Sequence, residues 1–185
     1  MSSSGAAVEP ADVLAFWRAA GPKKWFAKND AFDAEIRTRF LPTYEAAARG
    51  ALSDWEQTPD GALALTIVLD QFPRNMFRGD ARTFAADPLA RAVADRALAR
   101  GHDQPFAPSE RTFFYLPFEH SEDLADQERC VELNRVHGDA DGLKWAELHA
   151  DIIRRFGRFP HRNKVLGRAT TPEEQAFLDG GGFGG

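Results

Sequence analysis

Residues 59–75 read PDGALALTIVLDQFPRN, and the choice between strand and helix here settles the fold class. Thr66-Ile67-Val68-Leu69 is the one strand-like run in the chain, because β-branched side chains favour a pleated backbone. Its flanks continue a helical pattern and offer no turn signals, so the stretch reads as helix. Thr58 and Pro59 open that helix, since the fixed φ and missing N–H of proline do no harm at a first helical position. Phe72 precedes Pro73 and is pushed toward an extended backbone, which predicts that the helix runs to about Gln71.

Working outward, almost every other segment also reads as helix. Residues 11–20 carry Val13, Leu14, Phe16 and Trp17 and stop at Gly21-Pro22. Asn29 is placed to cap a second helix, with Asp30 and Asp33 in the first turn, where the helix dipole favours acids. Phe32, Ile36 and Phe40 form its apolar stripe, and Pro42 is expected to kink or divide it. Ser53-Asp54-Trp55-Glu56 fits a capping box. Downstream, Asp87 is the expected cap of a helix over 88–100 that Gly101 closes. A short helix follows Ser109 and ends near Leu116-Pro117, and Ser121 is the expected cap of 122–136. Residues 140–156 place Trp145, His149, Ile152 and Phe156 on one inward stripe, with Gly157 at the end. Thr171-Pro172-Glu173-Glu174 opens a last short helix. The expectation is therefore all-α: one domain over 10–179 between flexible ends at 1–9 and 180–185, with short connections that favour antiparallel neighbours.

Composition bounds the function. The chain has 185 residues, 43% hydrophobic and 28% charged, as expected for one soluble globular domain. Its longest apolar-looking run, Ala62 to Leu69, is far short of the roughly 20 residues a membrane span needs. The start, MSSSGAAVEP, lacks the basic and apolar regions of a secretory signal, so a cytoplasmic location is the default. Cys130 is the single cysteine, which leaves no intramolecular disulfide and no multi-cysteine metal site. A net charge of −5 argues against general nucleic-acid binding. Arginine outnumbers lysine 18 to 5, which a GC-rich genome explains more simply than selection for anion binding.

Three corners go beyond composition. Phe72-Pro73-Arg74-Asn75 recurs as Phe159-Pro160-His161-Arg162-Asn163, so two of the four asparagines in the chain sit at matching places. Arg78-Gly79 and Gly167-Arg168 follow them. Proline leaves the last helical carbonyls without partners, and the Arg and Asn just beyond can donate to those carbonyls or turn to an anion. The third corner, LPFEHSED at 116–123, sets His120 among Glu119, Glu122 and Asp123. A carboxylate beside an imidazole tunes an acid/base group, and equally a row of acids complements a helix start. Residues 154–168 hold Arg154, Arg155, Arg158, Arg162, Lys164 and Arg168 with no acid, while 119–128 hold five acids with no base. Mutual neutralisation of these two runs is the simpler expectation. His149, on the inward stripe, reads as a core histidine or as part of a pocket shared with His120 and His161.

LDQFPRN at 69–75, LPFEHSED at 116–123, HADIIRRFGRFPHRN at 149–163 and LGRATTPEE at 166–174 together resemble the bacterial domain-of-unknown-function family 924. The similarity covers roughly residues 10–179. The resemblance implies a tetratricopeptide-like arrangement of stacked helix pairs in a cytosolic bacterial protein, and it brings no established activity. The chain itself shows no 34-residue repeat signature, so such a stack would be short and irregular. Phe118 stands where another apolar residue such as Leu is the family expectation.

The residues leave three functional classes open. In a binding module for a small carboxylate, phosphate or acidic peptide, Arg74, Arg158 and Arg162 fork onto the anion with help from Arg78, His149 and His161. Asn75 and Asn163 orient it, and Phe72 and Phe159 form walls. In an enzyme, His120 acts as general acid/base, Glu122 orients it and Arg74 and Arg162 stabilise negative charge. In the third class the charged corners only hold the fold. No nucleophile elbow, phosphate loop or HExxH motif is present, and neither a cofactor nor a metal is expected. The spacing of His120, His149 and His161 with Glu122 or Asp123 does not by itself define a metal site. The expectation is that all three corners converge on one concave site, with no nucleic acid or membrane as partner and the oligomeric state open.

Overall fold

A computed structural model describes residues 8–185, so the expectation of flexibility over 1–7 falls outside the described residues. The described residues contain α1 (Pro10–Ala20), α2 (Pro22–Trp25), α3 (Asp30–Ala48), α4 (Pro59–Thr66), α5 (Phe72–Met76), α6 (Asp87–Ala99), α7 (Pro108–Glu119), α8 (Leu124–His137), α9 (Ala140–Phe156) and α10 (Pro172–Asp179). Short 3-10 turns lie at Ser53–Gln57, Ala81–Phe84 and Pro160–Arg162, and no strand occurs among the described residues. The all-α reading of 59–75 therefore holds. No helix among the described residues is long and apolar enough to cross a membrane.

The stretch that decided the class behaves differently in detail. The helix does not stop at Gln71: Ile67–Gln71 widens into a π-turn, and Phe72 keeps helical angles of −60° and −39°. The Phe72 N–H reaches five residues back to the Ile67 carbonyl. This wider turn lets Pro73 enter without an α-type bond, and Pro73 then opens α5 as a tolerated first-turn proline. Arg74 Nη1 donates to the Asp70 carbonyl at 2.7 Å, the kind of helix-end rescue expected for this corner.

Other boundaries shift for similar reasons. α3 runs unbroken past Pro42 and α7 runs past Pro117 to Glu119, so neither proline ends its helix. Asp123, not Ser121, caps α8, its carboxylate accepting the Ala125 N–H at 2.8 Å. Ser121 instead accepts from the Asp123 N–H and donates to Asp126. Asp87 lies inside α6 and gives its carboxylate to Arg74 rather than to a cap. Ser53 makes no side-chain cap, and Glu56 takes both prongs of Arg96 at 2.7 and 2.8 Å. Asn29, Thr58 and Thr171 cap their helices as expected.

The chain divides into two compact units. One comprises the residues up to Arg78 together with Arg82–Pro105, the other Gly79–Ala81 together with Phe106–Gly185. In the first, α1 and α6 pack on α4 and α3 packs on α5. Trp17, Ile36, Phe40, Leu63, Ile67 and Phe72 fill its core, with the Phe40 and Phe72 rings 4.9 Å apart. In the second, α7, α8 and α9 pack mutually and α10 rests on the turn Pro160–Arg162. Its buried residues include Phe113, Phe114, Tyr115, Phe118, Ile153 and Phe159. Trp145, expected on the inward stripe of α9, is 47% exposed, whereas His149 on that stripe is buried.

Candidate functional site

The first corner belongs to the first unit and is closed by that unit's own acids. Arg74 grips Asp87 with both guanidinium nitrogens, at 2.9 and 3.0 Å, and lies 3.4 Å from the Asp70 carboxylate. Burial works against the Arg74 charge, but Asp70 and Asp87 outweigh it and hold the guanidinium above its ordinary value. Asn75 donates to Asp33 Oδ1 at 2.7 Å, and Arg78 takes the same carboxylate through Nε at 2.5 Å and Nη2 at 3.2 Å. Phe72 is fully buried between Phe40 and Trp17.

The second and third corners meet in the second unit. Glu122 accepts both prongs of Arg168, at 2.7 and 3.0 Å, and the Phe159 N–H at 2.8 Å. Burial alone would raise the Glu122 pKa, yet the Arg168 and Phe159 hydrogen bonds leave it below the ordinary carboxylate value. Arg168 continues to Asn163 Oδ1 and the Phe159 carbonyl, each at 3.0 Å. Asn163 donates to Glu174 Oε2 at 3.1 Å, and Arg158 holds both oxygens of Glu174 at 2.6 and 2.8 Å. The Arg158 hydrogen bond is the main reason that the Glu174 carboxyl is held down to about 2. The two sequence corners thus share one arrangement: an asparagine amide and an arginine fork converge on a single carboxylate, Asp33 in one and Glu174 in the other.

The acids were the part hidden from the sequence. Asp33 and Glu174 sit in helical first turns, where a dipole role explains them completely, and nothing in their spacing marks them as partners of distant arginines. The expected neutralisation of the basic run by 119–128 is met by Arg168 on Glu122. Arg155 and Arg158 turn instead to Glu173 and Glu174, and Arg154 to Asp151 within α9.

The histidines divide. His120 gives its backbone carbonyl to Arg162 Nη2 at 3.0 Å, while the Glu122 carboxylate goes to Arg168 and Phe159 rather than to the His120 ring. Arg162, 7% exposed, lies over the Phe159 ring at 4.5 Å. His149 Nδ1 sits 2.8 Å from the Trp145 carbonyl and 3.4 Å from Glu119 Oε1. His161 stands between Phe159 and Phe183, at ring distances of 5.7 and 5.2 Å, and its Nδ1 is enclosed without a hydrogen-bond partner. Burial first, and then the Arg162 charge, lower the His161 pKa to about 4. Among the described residues no three His, Cys, Asp or Glu side chains group as a metal site.

Beside these residues runs an open groove of about 530 Å³. Leu148, Ile152, Phe156 and Phe177 form its apolar lining, and its charged residues are of both signs, Lys144 and Arg155 with Glu147 and Asp151. Phe183, in the stretch expected to be a flexible tail, closes one side of it and packs on His149 at 4.5 Å.

An all-α protein whose paired Phe-Pro corners each lock an asparagine and an arginine onto a single acid is the class that fold and geometry define. The chain matches the family described as bacterial protein of unknown function (DUF924) over residues 13–182 and belongs to it. The solved structure of a protein of unknown function, ATU0120 from Agrobacterium tumefaciens, is 52% identical, covers 92% of this chain and 97% of that one, and superposes with a TM-score of 0.90. No curated protein matches the chain.

Proposed function

We propose that the protein is a binding module for a small carboxylate- or phosphate-bearing ligand, with its site in the second unit around His161, Arg162, His149 and Phe159. In this reading Arg74, Asn75, Arg78, Arg158 and Asn163 serve the fold through their acids, and a tetratricopeptide-like stacking of helix pairs is the scaffold. The observation that carries the proposal is the enclosed His161 Nδ1, a polar atom without a partner where the Arg162 charge outweighs that of Glu122. Buried polar atoms are nearly always satisfied, and an unsatisfied one in a positive field suits an incoming anion. An anion there would favour the imidazolium, so binding and protonation reinforce each other.

Calorimetric titration of wild type and His161→Asn with inorganic phosphate and with succinate, at about pH 5.5 and 7.5, tests this. The reading expects tighter binding by wild type at the lower pH and loss of that dependence in the variant. Absence of binding for both anions at both pH values, or identical behaviour of the variant, rejects it.

A further inference from the structure

The open groove of the second unit has α9 on one side and α10 with its following turn on the other. Leu148, Ile152 and Phe156 recur every fourth residue along α9, which places them on one face. Ile152 belongs to the buried core, whereas Leu148, Phe156, Phe177 and Phe183 are only partly covered. The far wall is made by a fold-back, with the Gly181 and Gly182 N–H groups bonded to the Leu178 and Phe177 carbonyls at 3.2 and 2.9 Å. A Cβ at Gly182 would fall 2.6 Å from the Phe177 ring, so glycine lets the chain turn tightly off α10 and bring Phe183 across to α9. The slot that results, of about 530 Å³, falls in the range of roughly 300–1,000 Å³ usual for small-molecule sites.

The four charged side chains that border the slot cancel in sum but not in situation. Asp151 is taken by Arg154 at 2.7 Å within α9, and Arg155 by Glu173 at 3.2 Å. Arg155 also lies over the Phe156 ring at 4.6 Å, which occupies that end of the slot. Lys144 and Glu147 stand at the other end, both exposed, and neither has an ion-pair partner among the described residues. Lys144 only rests near the Trp145 ring, at 5.9 Å. Side chains three residues apart on a helix are surface neighbours. One unengaged cation and one unengaged anion therefore meet beside an apolar wall.

We infer that the slot binds a zwitterionic α-amino acid with a large apolar side chain, its carboxylate on Lys144, its ammonium on Glu147 and its side chain along Leu148, Ile152 and Phe183. An α-amino acid carries both charges on one carbon, a separation that two neighbouring side chains can meet together. A plain anion would suit Lys144 and be repelled by Glu147, and a plain cation the reverse. The rings of Phe183 and Phe177 favour an aromatic side chain, which gains from edge and face contacts beyond the area it buries. An exposed pair between Lys144 and Glu147 themselves would be worth little, so a ligand that engages both displaces little. The inference goes beyond the anion reading, since neither His161 nor Arg162 enters it.

Calorimetric titration of the full chain with phenylalanine tests this, beside three analogues that each lack one feature. Phenylpropanoate has no ammonium, phenethylamine no carboxylate and glycine no side chain. Wild type is expected to bind phenylalanine saturably and each analogue about fivefold more weakly or worse, the upper range for one exposed ion pair. Lys144→Gln should weaken phenylalanine and phenylpropanoate and leave phenethylamine unchanged, whereas Glu147→Gln should weaken phenylalanine and phenethylamine and leave phenylpropanoate unchanged. Both residues are exposed, so both variants should keep the wild-type far-UV circular dichroism. His161→Asn should bind phenylalanine as wild type does, which separates the fate of this site from that of the anion reading. Absence of saturable phenylalanine binding by wild type, analogues that bind as tightly as phenylalanine, or Gln variants that do not discriminate between the analogues overturn the inference. Loss of phenylalanine binding in His161→Asn would put the ligand elsewhere and overturn it as well.

Discussion

Arg158 and Glu174 form a two-pronged ion pair, Nε to Oε1 at 2.6 Å and Nη2 to Oε2 at 2.8 Å. Glu174 also accepts from Asn163 and from the Thr171 N–H at the start of its own helix. One carboxylate, with only 3% of its side chain accessible, thus ties the second Phe-Pro corner to α10. Asp33 does the same for the first corner through Asn75 and Arg78.

The Glu174 pair makes stability depend on acid pH. The carboxyl is held at about 2 in the fold against an ordinary 4.5. A lowered folded value stabilises fully above the unfolded value and is lost as the carboxylate takes up its proton. Wild type should therefore lose stability progressively between pH 4.5 and about 2. Glu174→Gln should be less stable at neutral pH and flatter across that window. Urea midpoints measured along the pH series check this, and a parallel decline in both proteins contradicts it.

Removing Arg74 should be far more damaging than removing a surface arginine. Arg74→Ala strips the guanidinium from Asp87 and from Asp70, whose side chain is 1% accessible. Breaking a buried pair from one side costs about 3–5 kcal/mol, because the acid left behind loses the cation that offset its desolvation. Arg74→Lys should recover only part of it, since an ammonium cannot supply the fork. Arg135→Ala, by contrast, loses a pair with Glu132 in which both side chains are more than half accessible. Its cost should stay under about 1 kcal/mol. Urea unfolding of the three variants measures the ranking.

The fold class and most helix positions were legible because periodicity and caps are local signals. Asn29, Thr58 and Thr171 act within three residues of themselves, and the sequence shows all the parts. The errors fall where distant groups decide. Pro73 and Pro117 look like stops, yet a π-turn accommodates the first and α7 simply continues through the second. Asp87 looks like a cap and is claimed by Arg74, thirteen residues away. The corners themselves were visible as repeated Phe-Pro and Asn residues. Their acids were not, since Asp33 lies 42 residues from Asn75. Phe183 was hidden by its glycines, which signal flexibility locally and say nothing of a ring packed on His149.

Cys130 should be inert in the native protein. Its side chain is fully buried, and burial followed by the nearby Glu119 charge pushes the thiol well above its ordinary value. The thiolate is the reacting species, so both access and ionisation oppose modification. A thiol reagent such as dithionitrobenzoate should show no reaction with folded protein and one thiol per chain in denaturant. Rapid native labelling would mean that α8 opens readily from α7.

His161 should remain neutral well below the pH at which an exposed histidine is charged. Its pKa lies at about 4 against an ordinary 6.5 because burial and then Arg162 oppose the imidazolium. For a base with a lowered folded value, the unfolded chain takes up the proton first. The stabilising effect is therefore complete above 6.5 and declines as pH falls toward 4. Ring-proton NMR should place the His161 midpoint near 4, and His161→Phe should lose less stability than wild type over that interval. The same resonance reports on the proposed ligand. Saturating phosphate or succinate should move the midpoint upward, because an anion beside Nδ1 stabilises the charged ring. A midpoint already near 6.5 in the free protein would show that the imidazole is solvated, and the enclosed nitrogen that carries the anion reading would be gone with it.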